Sequence, residues 1–273
     1  MSTHAAGAPP VGMPSRVGVT FARAVASEWF KVWGLRSTRV VFAVSVLLTP
    51  ALALIGASDP NVPADGYGTL AYWVVSLTIL TQFPLLLLGV LLGSGETANR
   101  SAASTFVAVP TRTPALLART VVTITTSTAA ALLSLGLAAA VTLATGLGRE
   151  LSTELTPETT RMWLGTSLYL VAATTFCFGL GLLVGRTVLA VLATFAIFIL
   201  DLATIGAPGA LTSITAFLPG HAASAVTSSE EFLDVLRSMD AAPLDPWANV
   251  AITIGWAGAA VLAGIVRTRR RDV

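Results

Sequence analysis

The feature that most limits what this chain can fold into is the length of its apolar runs. Stretches of about 18 residues or more recur with almost no charge in them, and a helix of about that length crosses the ~30 Å hydrocarbon layer of a bilayer. With 54% hydrophobic and only 11% charged residues, the chain is too apolar for an ordinary soluble domain, where about a quarter of residues are charged. A membrane β-barrel would instead show segments of about ten alternating residues. That pattern is missing, so the sequence predicts an all-α polytopic membrane protein.

The apolar runs predict six spans, at about 40–57, 69–92, 115–146, 163–184, 187–206 and 247–266. The fourth and fifth come from one stretch, 163–206, interrupted only by Arg186. As a single helix it would be ~66 Å long, about twice the bilayer core, so a hairpin turning at Gly185-Arg186 is expected. Loop charge then sets the orientation. With an internal N-terminus, Arg16, Arg23, Lys31, Arg36, Arg39, Arg100, Arg112, Arg119, Arg186, Arg267, Arg269, Arg270 and Arg271 lie inside, against Arg149, Arg161 and Arg237 outside. Ten acidic residues, from Asp59 to Asp245, fall outside. This positive-inside bias puts both termini in the cytoplasm. The net charge of +2 follows from topology and gives no reason to expect nucleic acid. Boundary residues agree. Thr113-Pro114 and Asp245-Pro246 read as helix starts, and Trp73, Trp163 and Trp247 stand near span ends, where an interfacial indole is favoured.

Residues 1–18 read as a flexible cytoplasmic tail, with no apolar core of a signal peptide. Residues 19–38 read as an amphipathic helix. Phe21, Val25, Trp29, Val32 and Trp33 share one face and Arg23, Ser27 and Lys31 another, which suits a helix lying in the inner leaflet. Glu28 falls on the apolar side and there needs a partner, or snorkels to water. Residues 39–273 make up the six-span domain. In the loop after the second span, Gly93 and Gly95 are expected to end that span. Glu96 and Arg100 are spaced i,i+4 for a short helix, and Phe106 and Val107 are apolar, so the loop is either a docking helix or a plain connector. In the outer connection, 207–246, Ser228 and Glu231 fit a capping box for a helix over 230–239, and 211–226 is apolar enough to form a re-entrant hairpin.

Few residues are available for chemistry. The only lysine is Lys31, in WFKVWG, so no phosphate-binding loop G-x-x-x-x-G-K-[ST] exists in the chain. ATP hydrolysis here would need a separate polypeptide. Two histidines, His4 and His221, and one cysteine, Cys177, give neither a metal set nor a nucleophile–histidine pair, and His221 reads as an ordinary loop residue. Asp201 is the one acid inside a span. It lies toward the outer end, ~22 Å along the helix from Arg186, and is either paired structurally or part of a pathway. Small-residue stripes, Ala173-Cys177-Gly181-Gly185 and Ala251-Gly255-Ala259-Ala263, suit close helix packing. Thr123, Thr125, Thr126, Ser127 and Thr128 of the third span either line water or bond back to their own helix.

Three segments, set in order among six spans, carry a resemblance: SEWFKVWGLRST (27–38), GETANRSAASTFVAVPTRTPALLAR (95–119) and FLPGHAASAV (217–226). From about residue 17 onward the chain resembles permease subunits of type-2 ATP-binding-cassette exporters, the ABCG-like architecture found in bacterial drug and peptide exporters. That resemblance implies a connecting helix at 19–36, with Glu28 and Lys31 at its contact with the ATPase. It implies a coupling helix at 96–108, carrying Glu96, Arg100 and Phe106, and an outer gate at 217–226 that includes Leu218 and Pro219. It places the second and fifth spans around a substrate cavity, with Thr78, Gln82, Phe83, Phe195, Phe198 and Asp201 as candidate lining. The implied partners are a separate ATPase subunit, which would hold ATP and magnesium, a second permease chain, identical or not, and membrane lipid. The implied activity is export of a hydrophobic or amphipathic substrate (drug, peptide or lipid-like) across the bacterial cell membrane. Two rival readings use the same spans: an ATP-independent secondary transporter or channel, and a non-transporting immunity or scaffold subunit.

Overall fold

A computed structural model of the chain describes residues 20–59, 67–98, 112–145, 147, 150–204, 217–238 and 245–270. Its elements are helices: α1 (Phe21–Gly34), α2 (Arg36–Ala57), α3 (Leu70–Ser76), α4 (Thr78–Ala98), α5 (Arg112–Leu143), α6 (Pro157–Val184), α7 (Thr187–Thr204), α8 (His221–Thr227), α9 (Glu230–Ser238) and α10 (Pro246–Arg270). Five of them, α2, α4, α5, α6 and α10, are long and apolar enough to cross a membrane, whereas the apolar part of α7, Thr187–Asp201, is shorter. The chain is a multi-pass, all-α membrane protein.

Local chemistry explains the boundaries. Gly185 ends α6 in the left-handed region (φ 70°), its N–H donating to Gly181 O, and α7 restarts at Thr187, which is the hairpin expected at Gly185-Arg186. Asp245 caps α10, its Oδ1 accepting from Trp247 N at 2.9 Å and Ala248 N at 3.3 Å. Helix α6 starts at Pro157, earlier than the expected 163, because Thr156 and Thr159 form a reciprocal capping box with Pro157 behind the cap. The expected Ser228 capping box is not formed. Ser228 Oγ instead donates to Ser224 O at 2.6 Å, within the end of α8.

The expected second span, 69–92, is two helices. Around Leu77 the hydroxyls of Ser76, Thr78 and Thr81 donate to the carbonyls of Trp73, Val75 and Leu77, a back-bonding pattern that bends helices, and Pro84 lies about two turns further on. The apolar part of α4 long enough to span ends at Gly95, as expected, while the helix itself runs on to Ala98 and Gly93 lies inside it. Gly93 is instead a close-approach site, where a Cβ would overlap Phe178 O and Gly181 Cα.

Helix α6 is the centre of the bundle, packing against α10, α4, α5, α7, α8 and α3. It can do so because small residues line two of its sides. Gly89 meets the Thr174 carbonyl and Gly181 meets Gly93 toward α4, while Gly179 and Leu182 meet Ala260 and Gly264 of α10. Cys177 is fully buried on this helix, as its place in the small-residue stripe predicts. The second stripe behaves differently. Ala251, Gly255, Ala259 and Ala263 face outward, and α10 packs through Thr253, Ala257, Ala260 and Gly264. Both faces of α10 carry small residues, so i,i+4 spacing alone does not select the packed one. Helix α2 shows Val40, Val44, Leu47 and Leu54 on its outer side, where a bilayer supplies the apolar surroundings. Trp73 is buried rather than interfacial. Its Nε1 donates to Thr142 Oγ1 at 3.1 Å and its ring lies on Gly56.

Candidate functional site

The candidate lining residues divide into a buried polar set and a half-buried aromatic pair. Gln82, near the start of α4, is held by Tyr169 of α6, whose hydroxyl donates to Gln82 Oε1 at 2.5 Å. Gln82 Nε2 donates to Ile79 O at 3.0 Å. Thr78 and Gln82 border a small polar void with Ser45, Thr49, Thr81 and Ser134, of about 10 Å³, enough for about one water molecule. Beside it the hydroxyls of α2, α4 and α5 are linked, Thr49 to Thr81 at 2.8 Å and Ser134 to Thr49 at 2.8 Å. Within one chain these groups act as polar glue between spans. Phe83 and Phe195 stack with ring centroids 5.2 Å apart and an interplanar angle of 19°, joining α4 to α7. Phe198 is buried against Phe176, at 6.4 Å.

Asp201 is 3% exposed and has a partner. Its Oδ1 lies 3.3 Å from His221 Nδ1, and its Oδ2 and the Phe198 ring crowd Gly220, where a Cβ would strike both. His221, expected to be an ordinary loop residue, is buried at the first position of α8. Asp201 is therefore paired across the bundle, and its partner stands 20 residues further along the chain, at the start of α8. Leu218 and Pro219 belong to the same assembly. Thr253 Oγ1 donates to Pro219 O at 2.9 Å, Trp256 Nε1 to Phe217 O at 2.8 Å, and His221 N to Leu218 O at 3.2 Å. The far end of α8 is held by Arg161 of α6. Its guanidinium donates to Ala225 O and Ser228 O, both at 3.0 Å, and lies 3.2 Å from Glu230 Oε1. A cation on the last carbonyls of a helix is doubly favoured, by hydrogen bonds and by the helix dipole. The sequence alone marks Arg161 only as an outside charge.

At the opposite end of the bundle, Glu28 is buried and its carboxylate turns into the bundle. Lys31 Nζ is 2.6 Å from its Oε1, and Arg119 Nε of α5 is 4.0 Å from its Oε2. Glu28 thus has a close partner on its own helix and a longer contact to a neighbouring one, while α1 leaves Phe21, Trp29 and Phe30 exposed. Trp33 packs edge-on against Phe42 at 4.9 Å, tying α1 to α2. Glu96 lies in the last turn of α4; Arg100 and Phe106 lie outside the described residues. Just before Glu96, Ser94 is fully buried and its Oγ is 2.9 Å from Thr187 Oγ1, which connects the end of α4 to the start of α7. The hydroxyls of Thr123, Thr125, Ser127 and Thr128 bond to carbonyls of α5 itself.

Comparison with protein-family models and with curated proteins found no match to this chain.

Proposed function

We propose that this chain is the permease subunit of an ATP-binding-cassette exporter. It crosses the bacterial cell membrane six times, with α7 as the fifth span and both termini in the cytoplasm. It works as one of two permease chains beside a separate ATPase that holds ATP and magnesium, and it moves a hydrophobic or amphipathic substrate outward. The observation that carries this reading is the seating of amphipathic α1 on α5 through Glu28 and Arg119. It couples a cytoplasmic-side helix to the span that follows the 96–108 segment, so a push delivered there by the ATPase would reach α1 and α5 together. Ser94–Thr187 would carry the same push to α7, and the Asp201–His221 contact at the other end of α7 would pass it to the 217–228 segment. Packed bundles switch between discrete arrangements rather than deforming continuously, which suits such a relay.

The test is mild-detergent purification of the tagged chain from its native cells. The expected result is stoichiometric co-purification of a phosphate-loop ATPase, lost on Glu96→Ala/Phe106→Ala. One observation favours a second reading. A buried Asp–His pair at the end of an apolar helix is the kind of ionisable group that proton-coupled transporters use. Solute movement in vesicles driven by a proton gradient, from a chain that purifies alone, would establish that reading and remove the exporter.

A further inference from the structure

Between α5, α6 and α10 runs a groove of about 380 Å³, lined by Thr120, Ile124, Leu168, Thr175, Gly258 and Leu262 among others. It offers almost nothing to hydrogen-bond. The two threonine hydroxyls already donate to their own helices, Thr120 to Leu116 O at 2.9 Å and Thr175 to Val171 O at 2.7 Å. An apolar cavity of about 150 Å³ is enough for benzene, so this groove has room for a long stretch of alkyl chain. It exists because α10 presents Gly258 there, and a Cβ added at Gly258 would meet nothing within 4 Å.

The depth and the charge at one end narrow the occupant. Along α10, Ile254 to Leu262 lie roughly 12–24 Å from Pro246, and Arg269 lies ~34 Å from it, across the ~30 Å core. Arg269 continues the helix face of Gly258 and Leu262, two turns beyond Leu262, and is exposed. Arg270 flanks it, also exposed. We propose that the groove holds one alkyl chain of an anionic phospholipid of the cytoplasmic leaflet, with its phosphate over Arg269. The anionic lipids of that leaflet attract juxtamembrane arginines, and a guanidinium pairs with phosphate through a two-pronged hydrogen bond. A second copy of the chain fits this face less well. A two-fold axis along the membrane normal at the groove would bring both Arg267–Arg270 ends together, like charge against like. The inference rests on the inside placement of the α10 C-terminus proposed above, and not on export.

The test reconstitutes the full chain in an equimolar mixture of phosphatidylglycerol and phosphatidylcholine, extracts it mildly, and counts retained lipids by native mass spectrometry. One phosphatidylglycerol per chain, retained several-fold over phosphatidylcholine, is expected. Gly258→Leu, which fills open space and should stay monodisperse, is expected to lower retention of both lipids several-fold. Arg269→Gln should keep a lipid in the groove but bring the headgroup preference close to parity. Retention unchanged by Gly258→Leu, or a preference that survives Arg269→Gln, overturns the proposal. So does efficient chain-to-chain disulfide formation by Gly258→Cys, which puts a second copy in the groove. Membrane-impermeant maleimide that labels Arg269→Cys from outside intact cells overturns the leaflet assignment. None of these measurements involves an ATPase or transport, so failure of the permease reading leaves the outcome readable.

Discussion

The two ends of the bundle each hold a short helix with a buried charge, and they do it in opposite ways. Helix α8, at the end that holds Asp201, is buried along nearly its whole length. Arg161 holds its last carbonyls, and the Asp201–His221 contact holds its start. Helix α1 at the other end buries one face only. It meets the spans through Val32, Trp33 and the Glu28 carboxylate, and leaves Phe21, Trp29 and Phe30 outward. A helix held at both ends and on all sides behaves as part of the core. One held on a single face can be lifted away or turned by a partner. The comparison therefore assigns stability to the charged contacts around α8 and adjustability to Glu28.

The comparison breaks if the contacts around α8 prove replaceable. Arg161→Met should have the largest effect, because it strands two carbonyls that the guanidinium satisfies and removes the partner of Glu230. A loss of about 3 kcal/mol is expected, read as the midpoint of thermal unfolding in detergent, and a change under about 1 kcal/mol would mean α8 is not held there. Next comes Gly165→Ala. The added methyl meets the Val226 side chain at 2.9 Å and wedges α8 off α6, for a loss of about 1–3 kcal/mol, with faster protease cleavage within 217–228 as a second readout. Asp201→Asn keeps the shape and a hydrogen bond to His221 but removes the charge. It is expected to lower export while membrane abundance holds, and unchanged export would confine Asp201 to positioning α8. The smallest effect on stability belongs to Glu28→Gln, at about 1 kcal/mol or less, since Lys31 is substantially exposed. Its signature is quicker proteolysis within 20–36 and weaker ATPase co-purification at unchanged unfolding temperature.

Much of this architecture is legible in the order of the residues. The hairpin at Gly185-Arg186, the start at Asp245-Pro246 and the amphipathic segment all follow from residues adjacent in the chain, because caps, turns and helix faces are local. The partners of Glu28 and Asp201 are not legible in that way. Each position demands a counter-charge, but several candidates of the right sign exist, and contacts between residues 91 and 20 positions apart depend on how each helix is rotated. His221 offers a faint signal, a lone histidine beside Leu218-Pro219-Gly220 in an apolar stretch. Arg161 offers another through Thr156-Pro157, a cap and first-turn proline that start α6 early and so put the charge inside a helix rather than before it.

The sequence by itself determined that this chain crosses a membrane repeatedly as helices, and where most of those helices begin and end. Crossing depends on the apolarity and rise of a continuous segment, which no distant contact can alter. Only the tertiary structure decided which faces meet. Gly179 and Gly264 set the approach of α6 and α10, and that approach turns Gly258 outward and leaves the groove open. Helix rotation then decides which charges are buried in pairs and which stay at the surface, because a small residue fits equally well on a packed face or an open one.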